Sequence, residues 1–256
     1  MPDVELEYSP SSRAGGSADP YVADWQMRSR VARSELAHGL VELAGGSLLM
    51  PNAPGAPLLV FIHGGYWQAL SASESLFLAP ALQRLGWSYA ALEYPLAPGA
   101  DLEQMATACG VALAAVCAHP GLQPSMIVLA GHSAGAHWAA MVALAREAPV
   151  PIDRLVLVSG VYDLRPLVRT SVNEPLGMDN GSAAAVSPAL LPRTGTVGEV
   201  VVAWAADDTE AFAEQSRAYA AGLRAAALCC PGRHHFDIVD DLADPSTPLG
   251  AATLRP

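Results

Sequence analysis

The sequence predicts an α/β fold: a mostly parallel central sheet with helices on both faces. Three observations carry this expectation. Apolar runs of strand length alternate with longer segments of helical character from residue 58 to residue 230. The runs at 58–62 and 155–158 are continuously apolar, as expected for strands covered on both faces. A chain of 256 residues with 52% hydrophobic and 15% charged residues can fill one large core.

The elements follow in order. Residues 1–18 are polar and turn-rich and are expected to form a loosely packed arm. Asp19-Pro20 opens a helix to about residue 37, with Trp25, Val31, Ala32 and Leu36 as an incomplete apolar stripe. An edge strand is expected at 40–50, broken by Gly45-Gly46. Ser71 and Glu74 have capping-box spacing and begin a helix ending near Gly86. A strand at 87–93 precedes a helix capped by Asp101, whose inner face carries Leu102, Met105, Cys109, Leu113 and Val116. Strands follow at 126–130, 155–158, 199–204 and 228–230, with helices at 137–146 and 209–226. Residues 163–198 interrupt this rhythm with prolines, glycines, serines and threonines and are expected to form a cap over the site. A helical stretch over 236–242 leads into a proline-rich tail expected to be poorly ordered. The whole chain, 1–256, is thus one domain, with an arm and helix at 1–39 and a cap at about 163–198.

Charge and cysteines narrow the function. The net charge is −11 and all basic residues are arginines, without a basic stripe to neutralise phosphates, so nucleic acid is not an expected partner. No apolar stretch reaches membrane-spanning length, and the acidic N-terminus lacks signal-peptide character. Cys109 and Cys117 lie two helical turns apart and Cys229-Cys230 are adjacent. All four are expected to be reduced core residues of a cytoplasmic protein. The Cys and His spacing suggests no metal site.

Gly131-His132-Ser133-Ala134-Gly135 sits between a strand and a helix, the setting of a nucleophile elbow. A nucleophilic serine needs a base, an acid to orient it, and donors for the oxyanion. In an elbow protein the order is Ser, acid, His. Asp207 and Asp208 follow a strand downstream, and His234 and His235 follow the last strand. Asp208 also suits a helix N-cap. Upstream, Gly64-Gly65 directly follow a strand. The N–H groups of Gly64, Gly65 and Ala134 are therefore the candidate oxyanion hole. His132 and His137 are expected to be structural or pocket-lining.

The motifs His63-Gly64-Gly65-Tyr66-Trp67-Gln68 and Gly131-His132-Ser133-Ala134-Gly135-Ala136-His137 resemble the serine-dependent kynurenine formamidase (arylformamidase) family of α/β-hydrolases. So do Ser159-Gly160-Val161-Tyr162-Asp163-Leu164, residues 212–216, His235-Phe236-Asp237-Ile238-Val239 and Glu7-Tyr8-Ser9-Pro10. The resemblance implies Ser133 as nucleophile, Asp207 as acid and His235 as base. Ala205-Ala206 stand where the family tends to have a glycine near the acid, so Asp208 remains the alternative. It further implies cleavage of N-formyl-L-kynurenine to L-kynurenine and formate, in tryptophan catabolism or a kynurenine-using biosynthesis. The substrate would be that molecule or a related formanilide, and no metal or organic cofactor is implied. Tyr66, Trp67 and Phe212 are the candidates to stack on the substrate ring. A homodimer is compatible with the sequence. The competing expectations are a carboxylesterase for small aryl or alkyl esters and a non-catalytic binding module of the same fold.

Overall fold

The computed structural model describes residues 3–146 and 148–255; Met1 and Pro2 of the expected arm, Glu147, and Pro256 of the tail lie outside the described residues. Its centre is an eight-stranded sheet. The strands are β1 (Val41–Glu42), β2 (Leu48–Met50), β3 (Leu58–Ile62), β4 (Ser88–Leu92), β5 (Ile127–His132), β6 (Ile152–Val158), β7 (Val197–Ala205) and β8 (Ala226–Cys230). Their spatial order is β1-β2-β4-β3-β5-β6-β7-β8. β2 pairs antiparallel with β1 and β4, and all pairs from β4 through β8 are parallel. The expected single edge strand is thus a hairpin, with Gly45 and Gly46 at φ +86° and +88° in its turn.

Every residue of β3 and β4 is buried, as continuous apolar runs require of parallel strands. Two cores result, one on each sheet face. One holds α4 (Leu102–Cys117) and α5 (Ala134–Ala140), and the other holds α2 (Asp19–Glu35) and α3 (Ala79–Arg84). Asp101 caps α4 as expected: its side chain accepts from Gln104 N, and Gln104 returns a bond to the Asp101 backbone. The anticipated box at Ser71 does not form. The Ser71 hydroxyl instead donates to the Glu74 carboxylate at 3.2 Å, and a 3-10 turn, Ala72–Leu78, precedes α3.

Three expectations are corrected here. The arm is not loose: α1 (Val4–Glu7) docks on α7 (Glu210–Leu223), where Glu7 accepts from Ala211 N at 3.0 Å. The tail forms α8 (Pro248–Leu254), with Pro248 in its first turn and Thr247 capping Gly250 N at 3.0 Å. Cys229 is exposed rather than in the core, because β8 is an edge strand; all four cysteines are free. The 163–198 segment contains two 3-10 turns and α6 (Asn180–Ala185). Among the described residues no helix is long and apolar enough to cross a membrane.

Candidate active site

β5 ends at His132 and α5 begins at Ala134, so Ser133 alone makes the turn, at φ 55° and ψ −122°. Such a conformation is costly for a non-glycine residue and persists only where its surroundings enforce it. Two glycines permit it. A Cβ on Gly131 would lie 2.2 Å from the Gly135 carbonyl oxygen, and one on Gly135 would lie 2.0 Å from the Ile62 oxygen. Ser133 N donates to Val158 O at 2.9 Å, which pins the turn to β6. The serine is 6% exposed.

His235 lies in the loop after β8 and is 2% exposed. Its Nδ1–H donates to Asp208 Oδ1 at 2.7 Å, leaving the Nε2 lone pair for another proton. The other oxygen, Oδ2, accepts from Ser159 Oγ at 2.6 Å and from Ala205 N at 3.1 Å. Burial pushes the Asp208 carboxyl up, but His235, Ser159 and Ala205 outweigh it and hold its pKa below the usual carboxylate value. The acid expected from the family pattern, Asp207, is exposed and its N–H donates to Arg233 O. This is a correction with a local cause. Asp208 N bonds back to Ala205 O at 3.2 Å, so the chain turns tightly after β7. Asp207 takes the outward apex and Asp208 returns to the sheet. Asp208 does not cap α7 either, since that position belongs to Thr209.

Among the described residues Ser133 Oγ has no hydrogen-bond partner. Serine and imidazole instead share a cavity of about 620 Å³. Nucleophile–base hydrogen bonds in such sites often close only on substrate. The loop after β3 crosses the serine so closely that a Cβ on Gly64 would meet Ser133 Cβ at 3.1 Å. The Tyr94 hydroxyl donates to the carbonyls of His63 and Gly64, at 3.1 and 3.0 Å. In a trans peptide the N–H opposes its C=O, so the N–H groups of Gly64 and Gly65 point away from Tyr94. Among the described residues neither these two N–H groups nor that of Ala134 donates to a protein acceptor.

A family model described as the α/β hydrolase fold matches residues 59–189, from β3 to the end of the α6 region. A kynurenine formamidase of Danio rerio is 34% identical over 99% of this chain and 95% of its own. One from Salmo salar is 35% identical over 73% of this chain and 68% of its own. The chain belongs to the kynurenine formamidase family of α/β-hydrolases. A solved structure of a candidate thioesterase from a Silicibacter species is also alike, with a TM-score of 0.87, 30% identity, and 99% of each chain covered.

Of the three aromatic residues expected around a formamidase substrate, only Tyr66 lines the cavity. Trp67 is fully buried against His137 and Trp138, and Phe212 packs edge-on against His235 with ring centres 4.7 Å apart. The rest of the aromatic wall comes from Tyr8, from Trp25 of α2 and from Phe236. Trp25 was visible only as one residue of an apolar stripe. Its stacking on Phe77 at 5.8 Å places its edge in the site, and nothing local in the sequence signals that contact. Ser159 was quoted as part of a family motif, and its φ of 47° turns its hydroxyl under Asp208. His137 is fully buried and donates Nε2–H to Val186 O at 2.6 Å, the structural role expected of it.

Proposed function

We propose that this chain hydrolyses N-formyl-L-kynurenine to L-kynurenine and formate, using Ser133, His235 and Asp208. The observation that carries this reading is one buried relay, Asp208 to His235, opening on Ser133 in an aromatic-walled cavity, in a chain alike to a formamidase over nearly its full length. His235 Nε2 takes the Ser133 proton as Oγ attacks the formyl carbon. Asp208 holds the ring in the tautomer that leaves Nε2 free and stabilises the imidazolium that forms. The N–H groups of Gly64, Gly65 and Ala134 receive the oxyanion. The imidazolium then protonates the departing aryl nitrogen. A water deprotonated by the same ring attacks the formyl-serine and releases formate. The aromatic walls suit the aniline ring, and carboxylates Glu5 and Glu74 on the lining suit an ammonium group. The four free cysteines support a reducing, cytoplasmic setting.

A second reading, ester or thioester hydrolysis by the same residues, is favoured by the likeness to the Silicibacter protein. The intact relay speaks against a non-catalytic binding module. One comparison decides between the enzymes: release of kynurenine from N-formylkynurenine against cleavage of a p-nitrophenyl ester. Absence of kynurenine at enzyme levels that cleave the ester would end the formamidase reading. The acid is tested separately. Asp208→Asn is expected to lower kcat by about 10³-fold or more, through the wrong imidazole tautomer. Asp207→Asn is expected to leave kcat within about twofold, as for an exposed side chain outside the relay.

A further inference from the structure

The elbow residue His132 has work that the relay does not explain. It is the last residue of β5 and is 4% exposed. Its Nε2 lies 2.8 Å from the carbonyl oxygen of His235. A carbonyl only accepts, so Nε2 carries the proton. Among the described residues the His235 carbonyl has no other partner. The two rings lie 4.9 Å apart at 50°, and the Trp25 edge closes over His132 at 6.1 Å.

We propose that His132 is a positioning residue: it fixes the backbone of the catalytic base over Ser133 by donating to the His235 carbonyl. The inference rests on the serine-hydrolase reading above. Two tethers then act on one residue. Asp208 fixes the His235 ring through Nδ1, and His132 fixes its main chain. With one tether the ring pivots; with both, Nε2 has one place. Such placement governs the rate of a proton transfer far more than it governs substrate affinity. The donor must also stay uncharged, because a second cation beside His235 would oppose formation of the imidazolium. Among the described residues the titratable groups around His132 are His235 and Asp208 and, lining one small cavity with it, His63 and Glu74. Burial and the neighbouring His235 outweigh the hydrogen bond and Asp208, and push its pKa down to about 3. It is therefore neutral throughout the working range.

The test uses the full chain, with N-formylkynurenine and a p-nitrophenyl ester as substrates. His132→Leu, which has no donor, is expected to lower kcat about tenfold on both while KM stays unchanged. His132→Gln, whose amide N–H reaches about as far as Nε2, is expected to recover kcat to within about threefold of the parent. The number of ionisations in the pH profile of kcat/KM stays the same in both variants. The proposal is overturned if His132→Leu keeps the parental kcat, if His132→Gln is as slow as His132→Leu, or if an ionisation disappears with His132. Should His132→Leu not fold, His132→Asn is too short to reach the carbonyl and carries the same expectation. Ser133→Ala is the control. Turnover surviving that change sinks the nucleophile assignment and this inference with it, whereas a His132 result alone leaves that assignment standing.

Discussion

Two segments cover the carboxyl edge of the sheet: residues 3–26 at the N-terminus and the insertion between β6 and β7. Both are rich in turn-forming residues, and they meet where Ser171 N donates to Glu5 Oε2 at 2.9 Å, yet they contribute unequally to the cavity. The N-terminal segment walls the cavity at Ser133 and His235 with Tyr8, Pro10, Val22 and Trp25. It is held there by bonds from Tyr66 Oη to Tyr8 O at 2.5 Å and from Thr209 Oγ1 to Glu7 O at 2.5 Å. The insertion gives the cavity only Ser171 and Val172. Its buried side chains pack into the core, while much of the remainder is exposed. Leu164, Leu167, Ala183 and Ser187 are fully buried, and Val186 O accepts from His137 of α5. The insertion expected as a cap is anchored in the core and adds little to the cavity, whereas the arm expected to be loose supplies much of its wall. Composition alone does not separate the two, since both mix short helices with turn-forming residues.

The sharpest way to break this contrast is to remove the residues before Ser17. The expected loss is about 100-fold in kcat/KM for N-formylkynurenine but less than about tenfold for p-nitrophenyl acetate, which needs no aryl wall. Equal losses on both would make the arm a brace, like the insertion. A smaller effect compares two tryptophans. Trp25→Leu is expected to raise KM for the aryl formamide about tenfold, while Trp67→Phe, in the packed side, leaves KM within about twofold. A KM that follows Trp67 instead would reverse the two sides.

The smallest effect concerns stability on the insertion side. His137 is buried neutral, and burial, only partly offset by its bond to Val186, pushes its pKa down to about 4 from 6.5. The unfolded chain therefore binds a proton below pH 6.5 that the folded chain refuses until about pH 4. Stability is full above 6.5 and falls as pH drops, by up to about 1.4 kcal/mol per pH unit. His132 adds a second such dependence down to about pH 3. Urea unfolding between pH 6 and 4.5 is expected to show a slope roughly halved in His137→Gln. An unchanged slope would mean that the insertion does not keep His137 dry.

How far the sequence carried these conclusions depended on whether the deciding contact was local. The strand at 58–62 was legible because burial on both faces leaves a continuous apolar run. The cap at Asp101 was legible because it acts on a residue three positions away. Ser133 and His235 were legible through chain order and position after strands. The choice between Asp207 and Asp208 was not. It rests on one backbone bond to Ala205 that turns the loop, and adjacent identical side chains carry no mark of it. The wall at Trp25 and the anchor at Glu7 depend on partners about fifty and two hundred positions away, at Phe77 and Ala211. The helix over 248–254 was obscured by the tail's prolines, although Thr247-Pro248 is itself a helix-start signal.

Left-handed backbone is concentrated where the strands meet the cavity. Tyr66 and Trp67 after β3, Ser133 after β5 and Ser159 after β6 all have φ between 47° and 63°. Each such residue is tolerated only because neighbours on several strands enforce it together. These positions are therefore brittle under mutation, and the reacting geometry is inherited as a block. The cavity wall is different, since much of it comes from a separate stretch, residues 5–26. Change there can redirect which acyl-amine is accepted without disturbing how it is cut. Diversification of substrates in proteins built this way is expected to map to the stretch matching residues 5–26.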